Sequence, residues 1–174
     1  MISPAECRLL YDLARRVTSG CLVEIGSYRG RSTIALAAGS RAGARVSVYA
    51  IEPHAPFVGV LGGRFGPPDR EAFMRNLLAA GVTDVVRLVS LPSSQAFAGW
   101  TESISLLWID GDHQEGAVRS DFDSWTSRVA DGGIVALHDT DDPALGPARV
   151  AAAAMTAGFC RVDRVDRTTV LRKG

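Results

Sequence analysis

Read from the N-terminus, short apolar runs of strand length alternate with segments whose apolar residues recur at helical spacing. Ser3-Pro4-Ala5-Glu6 is a capping-box start with proline at the first helical position. Leu9, Leu10, Leu13, Ala14 and Val17 then mark one helix face. "CLVEIG" (21–26) reads as a strand and "RSTIALAAGSR" as the helix after it; "RVSVYAIE" (45–52) is a second strand. "DREAFMRNLLAAG" predicts a helix with Phe73, Met74, Leu77 and Leu78 inward, closed by Gly81. "VVRLVS" is a third strand, before a short helix over 92–98. "SISLLWID" is the fourth, and the helix after it carries Val118, Phe122, Trp125 and Val129 as one stripe. "GGIVALHD" is the fifth, followed by an Ala-rich helix over 147–157. The closing "FCRVDRVDRTTVLRK" alternates apolar and polar residues, the signature of two strands joined by a tight turn.

Near-continuous apolar strands alternating with helices mean a parallel sheet covered on both faces. The expected fold is α/β: a Rossmann-like, doubly wound, mostly parallel seven-stranded sheet with a C-terminal antiparallel hairpin and helices on both faces. No repeat or linker interrupts it, so residues 1–174 are expected to form one domain. The stretch 53–68, "PHAPFVGVLGGRFGPP", is too rich in Gly and Pro for a regular element and unusually apolar for a loop. Loops of that length are commonly functional, and this one is expected to act as a lid or a dimer contact.

Composition narrows the class. Of 174 residues 47% are hydrophobic and 22% charged, with a formal net charge of +0, the profile of a globular protein. No stripe of Lys or Arg points to nucleic acid or an anionic membrane. No apolar run approaches the roughly 20 residues a bilayer span needs, and "MISPAECRLLYDLARR" does not read as a signal peptide. Cys7, Cys21 and Cys160 fit neither a disulfide framework nor a zinc site, so a cytoplasmic location is expected.

Three strand ends carry the chemistry. In "VEIGSYRGRST", Gly26 and Gly30 flank a strand-to-helix turn that lets a ligand approach the backbone, and Glu24 is a carboxylate inside an apolar strand that requires a partner. Glu52 closes "VYAIE" where an acidic side chain can accept bonds from both ribose hydroxyls of a nucleotide-like ligand. Asp110 and Asp139 end the fourth and fifth strands, and two converging carboxylates require a cation or a proton between them. Oxygen-rich ligation suits Mg²⁺ or another divalent ion. His113, three residues beyond Asp110, is placed to accept a hydroxyl proton. Two plainer roles stand beside these: Asp112 as a helix cap, and His138 as a core histidine bonded to backbone.

With these residues the chain resembles the class I S-adenosylmethionine-dependent methyltransferases over residues 3–172. More narrowly it is similar to the bacterial metal-dependent small-molecule O-methyltransferases of sugars and antibiotics, through "VEIGSYRGRSTIALA", "IEPH", "FMRNLLAAGV", "WIDGDHQEGAVRSDFDSW" and "GGIVALHDT". The resemblance implies that Glu24, Gly26, Ser27 and Gly30 hold the methionine part of S-adenosylmethionine and that Glu52 holds its ribose. It places Ser93 and Ser94 at the adenine end and Asp110 on both the cofactor and the catalytic side. A divalent ion would be ligated by Asp110, His138 and Asp139, with His113 as base; His138 stands where relatives often have Asp or Glu. The implied partners are a small-molecule hydroxyl acceptor, in particular a sugar or other vicinal diol, and a second copy of the chain. Competing readings are a metal-dependent hydrolase, a nicotinamide-dependent oxidoreductase, which would be expected to show the absent G-x-G-x-x-G, and a non-catalytic cofactor-binding protein.

Overall fold

Strand and helix alternate as the apolar pattern requires. The computed structural model describes residues 1–60 and 62–174. The elements are α1 (Pro4–Arg15), β1 (Cys21–Ile25), α2 (Arg31–Ala42), β2 (Val48–Ile51), β3 (Phe57–Val58), β4 (Arg64–Phe65), α3 (Pro67–Ala80) and β5 (Val86–Val89). There follow α4 (Ser93–Ala98), β6 (Ile104–Ile109), α5 (Glu115–Thr126), β7 (Val129–Leu137), α6 (Gly146–Ala154), β8 (Phe159–Val165) and β9 (Thr168–Lys173).

The principal sheet has seven strands in the order β5-β2-β1-β6-β7-β9-β8. The first five lie parallel, β9 runs antiparallel to β7, and β8 antiparallel to β9. Order runs outward from the β1/β6 pair in both directions. The crevice beyond the carboxyl ends of those two strands is therefore the switch point, where doubly wound sheets bind ligands.

Every residue of β1 is buried, as a central strand covered on both faces must be. Leu22 joins Leu10, Leu36, Phe73 and Trp108 in the core on one face; Val23 and Ile25 join Leu107, Trp125 and Leu137 on the other. Each such side chain removed from water is worth about 1.5–3 kcal/mol, and truncating Leu107 to Ala would cost roughly 2–5 kcal/mol. The Ser3 capping box forms as expected, and Gly81 closes α3 with φ 65°.

Four elements differ from expectation. Residues 53–68 contain a short hairpin, with Phe57 opposite Phe65 and Val58 opposite Arg64, its ends tied by the Gly59 N–H to the Gly63 carbonyl at 2.9 Å. Two-residue strands are too short to show alternation. Leu61, counted with the apolar residues of this stretch, lies outside the described residues. Val129 belongs to β7, paired with Ile104, because α5 stops at Thr126; a core valine four residues after Trp125 satisfies either element. Met74 and Leu78 are 43% and 66% exposed, since the apolar residues that α3 buries are the narrow stripe of Ala72, Phe73 and Leu77, beside Asp69 in its first turn. The Ala-rich helix ends at Ala154 and not 157.

Candidate active site

The turn after β1 is shaped by close packing. Gly26 has φ 85°, and a Cβ there would stand 2.3 Å from the Asp110 carbonyl oxygen. The β6 end thus occupies the space a side chain would need. Tyr28 follows with φ 46°, and Gly30 caps α2 with φ 85° and no side-chain cap, which leaves the first N–H groups of α2 to other partners. Ser27 is buried on the wall of the same cleft, and its Oγ has no hydrogen-bond partner. Glu24 lies behind this turn and does not line the cleft. It is fully buried and accepts from the hydroxyls of Ser32 and Thr33. Burial pushes its carboxyl up to about 7, against those two donors.

Glu52, at the end of β2, accepts the Tyr28 N–H at 3.2 Å on one oxygen and the His54 N–H at 3.0 Å on the other. Each oxygen keeps a second lone pair for a ligand hydroxyl. His54, at φ 50°, donates from Nε2 to the Tyr28 carbonyl at 2.9 Å, locking the two loops together.

Beyond β6 and β7 the titratable residues converge. Asp139 sits at φ 51°, an uncommon conformation for a side-chain-bearing residue and one that recurs at functional sites. Its Oδ2 meets His113 Nε2 at 2.6 Å and His138 Nδ1 at 3.1 Å, and its Oδ1 accepts from Arg167 Nη1 at 2.5 Å. Burial opposes its charge, but His113, His138 and Arg167 together hold it well below the usual carboxylate range. His138 is nearly inaccessible; its Nδ1 also meets Asp110 Oδ1 at 3.0 Å, and its Nε2 lies 3.4 Å from the buried Glu6. Burial works against its charge, yet Asp110 and Asp139 outweigh it and push the imidazole up to about 10. His138 is therefore a cation held by carboxylates and not a histidine bonded to backbone. The hydrogen bond to Asp139 raises the pKa of His113 above the ordinary histidine value. Asp112 accepts the Gln114 N–H at 3.1 Å, shaping the turn before α5 without capping the helix.

One cleft of about 1600 Å³ joins these parts. Gly26, Ser27, Glu52, Ser93, Ser94, Asp110, His113, His138 and Asp139 all line it, whereas Glu24 and Gly30 support the wall from behind. Asp121 and Arg167 on the cleft had no signal in the sequence, whereas Phe57 and Phe65 belong to the apolar stretch 53–68. Asp121 on α5 accepts the Ser93 hydroxyl at 2.5 Å, and burial raises its carboxyl. Arg167 arrives from the β8–β9 turn, and Tyr11, Phe57 and Phe65 supply apolar wall.

Asp110, His113 and Asp139 offer donor atoms within 4.8 Å of one another, a spacing that admits a cation. The protein partners of Asp139 argue the other way. Both lone pairs of Oδ2 face imidazole nitrogens, and Oδ1 faces a guanidinium. As arranged, the cluster fits a divalent ion poorly: the expected ligand His138 is turned into the carboxylates as a donor, and His113, bonded to Asp139 through Nε2, has only Nδ1 left to offer.

A family model described as "Methyltransferase domain" matches residues 23–140. Among solved structures, the chain is similar to cofactor-bound Rv0187 from MTB, with TM-score 0.73 and 21% identity over 99% of this chain and 81% of that one. It is similar to an O-methyltransferase from Bacillus cereus in complex with SAH, with TM-score 0.73 and 19% identity over 99% and 83%. It is also similar to the O-methyltransferase TomG from Streptomyces achromogenes in complex with SAM, with TM-score 0.71 and 20% identity over 100% and 82%. At these identities the likeness is one of fold.

Proposed function

The chain belongs to the class I S-adenosylmethionine-dependent methyltransferase family, and from that membership we propose that it methylates a hydroxyl of a small molecule. The observation that carries this reading is the shared cleft: the β1 turn and Glu52 on one side, Asp110, His113 and Asp139 on the other. S-Adenosylmethionine supplies an electrophilic methyl carbon, attacked by the acceptor oxygen opposite the sulfonium. Glu52 has lone pairs for the ribose hydroxyls, the orphaned Ser27 Oγ and the uncapped N–H groups of α2 face the amino-acid end, and Ser93 and Ser94 border the adenine end.

The acceptor hydroxyl gives its proton to His113 as its oxygen forms the new C–O bond, while the C–S bond breaks and its electron pair returns to sulfur. Asp139 holds His113 through Nε2, which leaves Nδ1 to take the proton. Asp110, one-fifth exposed and bonded only to His138, can accept from a second hydroxyl of the same acceptor. A vicinal diol with an apolar body, as in a glycoside or a catechol, matches these oxygens beside Tyr11, Phe57 and Phe65. Mg²⁺, expected from the sequence, would have to displace the present partners of Asp139, and the reaction as proposed does not need it. The three free cysteines favour the cytoplasm as the place of action, and the exposed apolar residues of the β3–β4 hairpin favour a dimer.

Calorimetric titration with S-adenosylhomocysteine tests the reading. The wild-type chain binds it, and His113→Ala binds it equally while turnover falls roughly 10²–10⁴-fold. Absence of binding overturns the proposal; a fall below about threefold removes His113 from the role of base.

A further inference from the structure

Arg167 has no part in the family's motifs, yet it makes the shortest contact in the cluster. It stands at the β8–β9 turn, after Asp166 with φ 47°. Its Nη1 reaches Asp139 Oδ1 at 2.5 Å, its Nη2 donates to the Met1 carbonyl at 2.9 Å, and its own N–H donates to Glu6 Oε1 at 3.2 Å. The head group is thus held between Asp139 and the Met1 carbonyl, and its backbone is tied to α1 through Glu6. A guanidinium keeps its charge at any working pH and lacks a lone pair with which to ligate a metal.

We propose that Arg167 supplies at Asp139 the positive charge that a divalent ion would otherwise bring, so that this chain transfers methyl groups without a metal. Both oxygens of Asp139 already have protein partners, His113 and His138 beside Oδ2 and Arg167 on Oδ1. An ion on Oδ1 would sit beside the guanidinium, with like charges only a few ångströms apart. Charge is met without it: Asp110 and Asp139 converge on the His138 imidazolium and Arg167, which leaves His113 to act as an uncharged base. Arg167 is a positioning residue in this scheme. It holds Asp139 so that Asp139 holds His113, and because a guanidinium is no Lewis acid, removal of the proton falls to His113 alone. The inference rests on the methyl-transfer reading, but its principal test does not.

That test is titration of the full chain with MnCl₂, followed by calorimetry and by the loss of the free-ion paramagnetic signal. The wild-type chain shows no stoichiometric site. Arg167→Met, which keeps bulk and removes charge, frees Asp139 and binds Mn²⁺ on the order of tenfold more tightly, the size of effect that groups around a metal's ligands exert. Retained binding of S-adenosylhomocysteine certifies that the variant is folded; if it does not fold, the wild-type titration decides alone. A tight stoichiometric Mn²⁺ site in the wild-type chain overturns the inference, as does loss of methyl transfer in excess EDTA with full recovery on adding Mg²⁺. Failure to turn over any acceptor would count against the methyl-transfer reading and leave the manganese result standing.

Discussion

Burying a carboxylate in a central strand costs several kcal/mol unless donors meet it. Glu24 has two, the hydroxyls of Ser32 and Thr33, and its carboxyl still rises to about 7. The folded state therefore prefers the protonated form. Between the unperturbed value of 4.5 and about 7 the native chain holds a proton that the unfolded chain has released. Stability accordingly falls as pH rises through that window, by at most about 3 kcal/mol for this group, and the loss is complete above it. Asp121, raised from 3.8 by burial, shifts in the same direction, while His138 and Asp139 act elsewhere. His138, raised to about 10, adds stability that is fully present below 6.5 and is lost as pH rises from there to about 10. Asp139, lowered from 3.8, adds stability that is lost only as pH falls below it. The difference in urea unfolding between wild type and Glu24→Gln from pH 4.5 to 6.5 isolates Glu24: the wild-type midpoint should decline with pH more steeply than the variant's. Parallel profiles would show that Glu24 is ionised throughout. At this scale Asp110, His113 and Asp139 are legible in the sequence because each stands at or just beyond the end of an apolar strand. Asp121 and Arg167 are not, because nothing in their local pattern sets them apart and they reach the cleft only through tertiary packing; Glu6 is legible as a capping residue but not as the neighbour of His138.

Long elements announce themselves by period; short ones need an argument from chemistry. β6 and β7 are readable because a run of buried apolar residues admits one placement, whereas β3 and β4 leave no period at all. The packing of this hairpin explains its apolar content. Tyr28 meets Phe65 edge-on with ring centroids 5.1 Å apart, and Phe57 faces Phe65 at 5.8 Å. Phe57, Val60, Arg64 and Phe65 line the cleft, while Val58 lies off it, 66% exposed. Such an element has few buried contacts to break and can therefore shift at little cost. Replacing Phe57 and Phe65 together by Ser should raise KM for the acceptor about tenfold or more and leave the affinity for S-adenosylhomocysteine within about threefold, losing stacking and apolar area on the acceptor side alone. Equal loss of both affinities would make the hairpin part of the cofactor wall instead. The tightly turned end of β8 and β9 plays a different part, delivering Arg167 and docking α1 through Glu6, which also accepts from the Thr168 hydroxyl at 2.8 Å.

For the molecule as a whole, the cleft divides its wall between the two wings of the sheet. Glu52 and the β1 turn belong to the wing that runs to β5; Asp110, Asp139 and Arg167 belong to the wing that runs to β8. A ligand seated across the β1/β6 seam bonds both wings, so it stabilises the native state as one body and gives nothing to the unfolded chain. At a hundredfold excess over Kd that linkage is worth about 2.7 kcal/mol. A chain of this size gains roughly 2–4 °C per kcal/mol, so S-adenosylhomocysteine should raise Tm by roughly 5–11 °C. The expectation of one domain adds a condition: scanning calorimetry should show a single transition before and after addition, and the whole transition should move. Glu52→Ala separates linkage from general stabilisation. Its carboxylate also receives the Tyr28 and His54 N–H groups, so the ligand-free variant should melt a few degrees lower. The ligand-induced rise should shrink at the same nucleoside concentration, because the lost ribose bonds weaken Kd. An undiminished rise in Glu52→Ala would mean that the ligand is held elsewhere, and a transition that splits on ligand addition would mean that the two wings fold apart.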